Sequence, residues 1–312
     1  MPEQVYDRGF KREFLKTKYF LHFLRKYVKL PLADFLKESD LIAANGEHQG
    51  RDFLDRRSDV VFRVQNGERE IYFFVALELQ AKMDFSMPMR MFFYLSDIIR
   101  ESFTNADKQQ RERKDYQPPA VVPIVFYSGR REWTAKKSFR KYTYQGDVFG
   151  DRVIDFSYEL VSLRDLPEDI FQNVENGFDL IMTFTRMWLD GQYLDAVSEL
   201  KEDIRMIPSS DFLDVADFVI DLYGDSMNNS LKTEMIDAFE KGDLEKMDAV
   251  FGDLYHWADD LREDGKKEGF KVGKHEGIIE TAQKMLREKM DISLIAKCTG
   301  LSENEIEELQ NK

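Results

Sequence analysis

The chain has 312 residues, of which 43% are hydrophobic and 33% are charged, and these proportions exclude wholesale disorder. It contains no run of about 18 apolar residues and its first residues are charged, so we expect neither a membrane span nor a secretion signal, and a cytoplasmic protein. Cys298 is the single cysteine, which excludes an intramolecular disulfide. The four histidines are scattered and lack the spacing of zinc ligands.

Charge is divided unevenly along the chain. Residues 1–150 contain 27 Lys and Arg against 21 Asp and Glu, a net +6, and residues 151–312 contain 18 against 38, a net −20; the sum is the −14 of the whole chain. Lys and Arg supply most non-specific affinity for nucleic acid by neutralising phosphates. The sequence therefore argues against a generic nucleic-acid binder and predicts that any polyanion contacts the first half.

The first predicted element is an amphipathic helix over residues 10–27, followed by Pro31 as a stop. Residues 60–64 and 71–80 are β-branched and aromatic runs, and the Asn66-Gly67 pair between them favours a tight turn, so they predict an antiparallel hairpin. The second run is apolar on both faces, as expected of a strand central to a sheet that carries helices on both sides.

A helix is predicted over residues 86–114, with Ser86 as a possible cap and Pro88 in its first turn. A second buried strand follows at residues 121–127. The order helix, hairpin, helix, strand predicts a three-layer α/β arrangement. Beyond about residue 160, long amphipathic stretches predict an acidic helical subdomain at residues 178–189, 193–206, 212–223 and 231–239.

The C-terminal tail contains a glycine every fourth residue and then three short predicted helices. A flexible tether is the favoured interpretation of the glycines, because each costs about 1 kcal/mol relative to Ala in a helix; close packing against another helix is the alternative. Ser302 and Glu305 form a predicted capping box. The tail helices have the outline of a helix-turn-helix, but the glutamates of the last one would repel phosphates, so a protein contact is expected. The glycines are Gly265, Gly269, Gly273 and Gly277, the helices cover residues 279–290, 292–297 and 302–309, and the glutamates are Glu303, Glu305, Glu307 and Glu308.

The predicted hairpin and the residues that follow it carry the candidate catalytic side chains. Asp59 precedes the first strand and Glu78 lies near the end of the second. Strand alternation places Glu78, Gln80 and Lys82 on one face. Phosphodiester hydrolysis requires carboxylates that hold Mg²⁺, so this group is a candidate metal site. The alternatives are a strand-start carboxylate for Asp59, a salt bridge for Glu78, and a solvated strand end for Gln80 and Lys82.

Several motifs together resemble the Rpn family, the recombination-promoting nucleases or YhgA-like transposases of the PD-(D/E)XK superfamily. The resemblance covers residues 7–165 in order and spacing, and the tail also looks like the C-terminus of that family. The motifs are the run at residues 57–62, the Glu78-Leu79-Gln80 element, residues 87–90 with Tyr94, and residues 122–129 with Trp133.

The resemblance implies a three-layer PD-(D/E)XK, restriction-endonuclease-like α/β core of order αβββαβ, followed by an α-helical subdomain and a short helical tail. We expect domains at residues 7–165, 166–262 and 263–312. It further implies a DNA endonuclease with double-stranded DNA as substrate, a divalent cation as cofactor (Mg²⁺, or Mn²⁺ or Ca²⁺), and a recombination-promoting or transposase-like role.

Carried over by position, the resemblance makes Asp59 and Glu78 the metal ligands and places Gln80 where the superfamily has its signature lysine. Glu13 matches an acidic position that sometimes completes the metal site; a solvent-facing helix residue is the favoured alternative for it. A neutral amide cannot supply the charge of a lysine. Our hypothesis is that Lys82 or Arg90 supplies this charge.

Candidate DNA-backbone contacts are basic residues interleaved with Trp133 and Phe139 just beyond the second buried strand. A homo-oligomer, a dimer or higher, is expected because paired active sites cut both strands of a duplex most simply. The leading function is a Mg²⁺-dependent endonuclease, and the alternative is a catalytically weak or inactive, oligomeric DNA-associated or regulatory protein. The candidate DNA-binding residues are Arg57, Arg130, Arg131, Lys136, Lys137 and Arg140.

Overall fold

The computed structural model describes residues 3–44, 60–66, 69–78, 83–223 and 227–310. The chain divides into two compact units, Met1–Asp253 and Leu254–Lys312. The domain boundaries expected from the sequence at residues 165 and 262 stay predictions. None of the helices within the described ranges is long and apolar enough to cross a membrane.

A five-stranded mixed sheet lies at the centre of the first unit. Its spatial order follows the chain, β1-β2-β3-β4-β5, so that β3 is the middle strand. The first three strands pair antiparallel, whereas β3, β4 and β5 pair parallel. The strands are β1 (Leu41–Ala43), β2 (Val60–Asn66), β3 (Arg69–Glu78), β4 (Ala120–Tyr127) and β5 (Glu159–Ser162).

The predicted hairpin is confirmed as β2 and β3, whose pairing runs from Val60 opposite Val75 to Asn66 opposite Arg69. The two residues between the strands, 67 and 68, lie outside the described residues. The central position of β3 is also confirmed. Its side chains from Tyr72 to Leu77 are all buried, because both faces of the strand are covered by helices.

The N-terminal helix is interrupted, unlike the single helix expected over residues 10–27. The chain forms α1 (Glu3–Phe14) and α2 (Thr17–His22), followed by a π-helical turn at Phe23–Tyr27. The backbone is extended at Lys16, with φ −78° and ψ 119°. This break allows both helices to bring their aromatic side chains to the same face of the sheet.

Phe126 of β4 shows how that face is filled. Its ring centroid lies 5.3 Å from that of Phe10, 5.2 Å from that of Phe14 and 6.1 Å from that of Phe23. Phe178, from a later helix, packs against Phe14 at 5.2 Å. The aromatic side chains of the N-terminal helices therefore form the core on this side.

The opposite face of the sheet is covered by α3 (Met87–Asn105), where Tyr94 stacks on Phe74 at 4.3 Å. The predicted helix over residues 86–114 is thus split into α3 and α4 (Lys108–Arg111). Ser86 occupies the N-cap position, but it makes no cap hydrogen bond and its hydroxyl donates to Asp84 instead.

Two short helices, α5 (Phe139–Tyr142) and α6 (Gly146–Phe149), lie between β4 and β5. The helices predicted beyond residue 160 are confirmed, and they belong to the first unit. They are α7 (Gly177–Leu189), α8 (Tyr193–Asp203), α9 (Phe212–Tyr223) and α10 (Asn229–Lys241).

The glycine-spaced segment is helical, so the expectation of a flexible tether is wrong. It belongs to α11 (Leu244–Arg287), a helix of 44 residues within which the boundary between the two units falls. A Cβ added at Gly269, Gly273 or Gly277 would meet nothing within 4 Å. The chain ends in α12 (Ile292–Thr299) and α13 (Glu303–Gln310).

We expect Phe126→Ala to lower the free energy of unfolding by about 3–5 kcal/mol, because it removes a fully buried ring from the core between β4 and the N-terminal helices. Urea unfolding of the purified variants measures the change. Phe35→Ala is the matched control: Phe35 is 83% exposed, and its loss should change stability by no more than about 0.5 kcal/mol. Equal effects of the two substitutions would contradict the assigned core.

Candidate nuclease site and its surroundings

The carboxyl ends of the parallel strands bring polar residues into one row. Glu78, the last residue of β3, is the register partner of Tyr127 in β4, and Tyr127 is the partner of Ser162 in β5. Neighbouring strands lie about 4.8 Å apart, and register partners in a parallel pair occupy the same face. The backbone of Glu78 is thereby placed at the edge of the sheet where parallel strands end.

The α3 side of this edge is closely packed around Tyr127. Its ring lies 4.9 Å from that of Trp133 in an edge-to-face contact, and the Trp133 indole N–H donates to the Tyr158 hydroxyl at 3.1 Å. Trp133 is buried between β4 and Tyr158, so it does not lie on the basic surface formed by the residues that flank it in sequence. Phe139 is half-buried and stacks on Phe92 at 5.0 Å.

Arg90 lies in the first turn of α3, and its Nη1 is 3.0 Å from Oδ2 of Asp84. Burial opposes ionisation of Asp84, but hydrogen bonds from Ser86 and Arg90 outweigh burial and hold the pKa of this carboxyl below its ordinary value. The predicted cation is therefore already paired with a carboxylate. Sequence reasoning missed Asp84, although its position six residues before Arg90, ahead of the helix cap, was visible.

Asp59, Gln80 and Lys82 lie outside the described residues, as does Arg57, and only the backbone of Glu78 is described. Within the described residues, no group of three or more His, Cys, Asp or Glu is arranged to hold a metal ion. The assignments of metal ligands therefore stay predictions.

Glu13 is buried, so the alternative of a solvent-facing helix residue is wrong. Its side chain has no exposed surface, and its two carboxylate oxygens lie 2.8 Å from Arg12 Nε and 2.6 Å from Lys16 Nζ. Burial raises the pKa of Glu13 above its ordinary value even though both cations favour the charged form. Lys16 also donates to Asp214 of α9 at 2.7 Å, so the buried Glu13 belongs to an ion-pair network that reaches α9.

A second buried carboxylate, Asp179 of α7, was not found from the sequence. His22 Nε2 lies 2.7 Å from its Oδ1, and Lys26 Nζ lies 2.8 Å from its Oδ2. The Tyr27 hydroxyl donates to Oδ1 at 2.6 Å. Burial penalises the charge, but the hydrogen bonds from His22, Lys26 and Tyr27 outweigh it and lower the pKa of Asp179. This carboxylate fastens α7 to the N-terminal helices.

The candidate DNA-backbone contacts differ in the exposure and the ion pairs of their side chains. Arg130, Arg131, Lys136 and Lys137 are exposed. Arg140 is half-buried, and its two terminal nitrogens each lie 3.0 Å from a carboxylate, of Asp151 and of Asp155 respectively. Its guanidinium holds the local fold together, which leaves less of its charge for a phosphate.

The second unit contains the predicted helix-turn-helix. Gly300, with φ 77°, ends α12 in the left-handed conformation that favours glycine. The capping box is confirmed: the Ser302 backbone N–H donates to Glu305 Oε2 at 2.8 Å, and the Glu305 N–H donates back to the Ser302 hydroxyl at 3.3 Å. The core of this unit is formed by Ala282, Ile295, Leu301 and Ile306, and the exposed face of α13 carries Glu303, Glu305, Glu307 and Glu308.

Two family models match the chain. Residues 4–211 match the model described as "Putative transposase, YhgA-like", which covers about two thirds of the chain. Residues 275–311 match the model described as "Rpn/YhgA-like nuclease family, C-terminal HTH domain". The chain belongs to the Rpn/YhgA-like nuclease family. No curated protein and no solved structure matches it.

Membership in the Rpn/YhgA-like family confirms the resemblance drawn from the sequence. The match over residues 275–311 also confirms the helix-turn-helix outline of the tail. The match over residues 4–211 ends within the helical region, beyond the strands and α7. The buried carboxylate Asp179 is therefore part of the family region, although the resemblance drawn from the sequence covered only residues 7–165 and the tail.

We expect Asp179→Asn to lower the free energy of unfolding at neutral pH by about 3 kcal/mol, because Lys26 and His22 lose a buried charge partner. The pKa of Asp179 is lowered in the folded state. The advantage of the wild type is therefore present above the unfolded-state pKa of about 4 and is lost as pH falls through the lower folded-state pKa.

Urea unfolding of both proteins from about pH 7 to pH 3 measures this difference. Asp147→Asn, at an exposed position in α6, is the control and should show no such pH-dependent difference. A constant difference between the wild type and Asp179→Asn across the pH range would contradict an ionised Asp179 in the folded protein.

Proposed function

We propose that the protein is a divalent-metal-dependent endonuclease that hydrolyses phosphodiester bonds of double-stranded DNA. Asp59 and Glu78 are the proposed metal ligands, with Mg²⁺, or another hard cation such as Mn²⁺ or Ca²⁺, as cofactor. The observation that carries the proposal is the position of Glu78 at the end of the central strand of a chain that belongs to a nuclease family.

The alternation of β2 and β3 supports a shared site. Val61 and Phe74 are register partners, and both belong with Ala76 to the cluster packed against α3. Asp59 comes two residues before Val61, and Glu78 comes two residues after Ala76. If each strand keeps its alternation, both carboxylates belong to the face of the sheet covered by α3.

The element order supports the finer fold assignment. The chain runs through the N-terminal helices, β1, β2, β3, α3 and β4 in sequence, which is the αβββαβ order implied by the PD-(D/E)XK resemblance. In addition, β3 pairs antiparallel with β2 and parallel with β4, so the carboxyl end of β3 lies beside that of β4. We therefore propose the PD-(D/E)XK fold for residues 7–165.

The residues fit a hard cation, because carboxylate oxygens are the ligands that Mg²⁺ uses in proteins. When bound, the cation supplies activation of water and neutralisation of charge on the phosphate. Gln80 is proposed to orient the attacking water through its amide. Lys82 or Arg90 is proposed to stabilise the negative charge that develops on the phosphate oxygens. A metal role for Glu13 would require its carboxylate to leave Lys16 or Arg12.

We propose that each of the two units contacts DNA. In the first unit, the exposed Arg130, Arg131, Lys136 and Lys137 are proposed backbone contacts, with Arg57 and Arg140 as further candidates. The helix-turn-helix match supports DNA contact by the second unit, but the glutamates of α13 oppose an approach through that helix. The proposed context is recombination or a transposase-like process, and the proposed active form is a dimer or higher oligomer.

The second candidate function is a catalytically weak or inactive, oligomeric DNA-associated or regulatory protein on the same fold. Two observations favour it: the net charge of −14, and a glutamine where the superfamily has a lysine. It differs from the first candidate in lacking metal-dependent cleavage, which makes the two separable by one assay.

We expect Asp59→Ala and Glu78→Ala each to lower Mg²⁺-dependent nicking of supercoiled plasmid by about 100-fold or more, because each removes a ligand of the cation. The matched control is Glu159→Ala, which replaces an exposed strand glutamate at the start of β5 and should retain the wild-type rate. Circular dichroism spectra verify that the variants are folded. Nicking by folded Asp59→Ala or Glu78→Ala at the rate of Glu159→Ala would contradict the site, and no nicking by the wild type would favour the second candidate.

We expect Lys82→Met or Arg90→Met to slow nicking about 10-fold or more at saturating Mg²⁺, because the cation that stabilises the transition state is removed. Single-turnover rates on the same plasmid measure the effect. Arg90 could act through its own charge or through its ion pair with Asp84. Asp84→Asn distinguishes these roles, since it removes the carboxylate that pairs with Arg90 and leaves the guanidinium in place. Wild-type rates in both methionine variants would rule out this hypothesis.

A further inference from the structure

The segment from the end of α5 to β5 exposes several large apolar side chains. Tyr144 is 85% exposed, Val148 76% and Ile154 59%, and Tyr142 and Phe149 are also exposed. We call residues 142–154 the Tyr144 tip. Soluble proteins seldom expose adjoining large apolar side chains unless they contact a partner.

The backbone of the Tyr144 tip is held firmly by local contacts. Gly146 is required, because an added Cβ would lie 2.1 Å from the Arg140 carbonyl oxygen. Gln145, next to Tyr144, has φ 51°, a conformation that L-residues adopt at a cost. Arg140 binds Asp151 and Asp155, and Ser138 donates to Asp155 at 2.8 Å. The exposure of Tyr144 is thus built into an ordered turn.

The surroundings of the Tyr144 tip are basic. Residues 130–154 contain 7 Lys and Arg and 3 Asp and Glu, a net +4, in a chain whose net charge is −14. Lys136, Lys137, Lys141 and Arg152 are exposed, and in the described part of the chain no ion pair engages them. A polyanion that also carries flat apolar groups would pair with the cations and stack on the aromatic rings.

We propose that the Tyr144 tip binds unstacked bases of DNA, with Tyr144 as the stacking platform and the neighbouring cations on the phosphates. The inference rests on the proposed function and adds to it a preference for single-stranded or distorted DNA. Aromatic side chains stack on any base, so such a surface recognises the loss of base stacking and not a sequence. Val148 and Ile154, exposed in the same segment, supply an apolar wedge that keeps bases apart.

A second copy of the chain fits this surface less well. A two-fold contact places the same patch against itself. Lys141 and Arg152 would then face the same cations of the partner across an apolar contact, which like-charge repulsion disfavours. DNA meets no such penalty, because its phosphates are the countercharge.

The test is fluorescence anisotropy with three labelled oligonucleotides of equal length, a single strand, a matched duplex and a duplex with an unpaired bulge, in EDTA so that no cleavage occurs. Tyr144→Ala is expected to weaken binding of the single strand and the bulged duplex by about 5-fold to 150-fold, and the matched duplex far less. Tyr144→Phe should retain binding, because the ring remains. Phe35→Ala, which removes an equally exposed ring elsewhere, is the control and should bind as the wild type does.

Equal binding by Tyr144→Ala and Phe35→Ala would overturn the inference, as would a wild type that binds none of the three oligonucleotides. If Tyr144→Ala instead changed only the sedimentation coefficient, the surface would belong to a contact between copies, and the inference would again be overturned. The proposed nuclease function is judged separately by plasmid nicking. Binding through Tyr144 without nicking contradicts that function alone, and nicking with unchanged binding in Tyr144→Ala contradicts the tip alone.

Discussion

The parallel pairing of β3 with β4, buried on both faces, is the constraint on which the rest of the first unit depends. Phe73 and Phe126 are buried with the N-terminal helices, whereas Phe74 and Tyr127 are packed with α3. Two strands that are apolar on both faces can be stable in water only between two helical layers. At the carboxyl ends of these two strands, Glu78 and Tyr127 are register partners.

Part of the positive charge in the first half of the chain has a structural role in the first unit. Arg12, Lys16, Lys18 and Lys26 of the N-terminal segment are paired with carboxylates of α7 and α9 or of the turn before α9. Much of the positive charge near the N-terminus is therefore neutralised within the molecule. A group of exposed cations lies instead around residues 130–152, where few carboxylates accompany them.

Sequence reasoning succeeded where the signal was local. The hairpin, the central strand, the helices beyond residue 160 and the capping box at Ser302 each follow from the side chains of neighbouring residues. It failed where burial depends on distant segments. Trp133 looked like part of a basic surface but packs against Tyr127, and Glu13 was expected to face solvent but lies in a buried ion-pair network that reaches α9. The strand β5, of 4 residues, also escaped, and β1, of 3 residues, was implied by the resemblance but not placed, since edge strands so short acquire their conformation from pairing.

By itself, the sequence determined the family, the hairpin with its central strand and the helices beyond residue 160, and it places Asp59 before the first hairpin strand and Glu78 near the end of the second. These features follow from periodicity, turn residues and motif spacing, which are properties of contiguous residues. Only the tertiary structure decided which charges are buried and paired, where the N-terminal helix breaks, and which aromatic rings remain exposed on the Tyr144 tip. These features depend on contacts between segments far apart in the chain, such as Asp179 with His22, and no local pattern encodes the loss of solvent that such a contact brings.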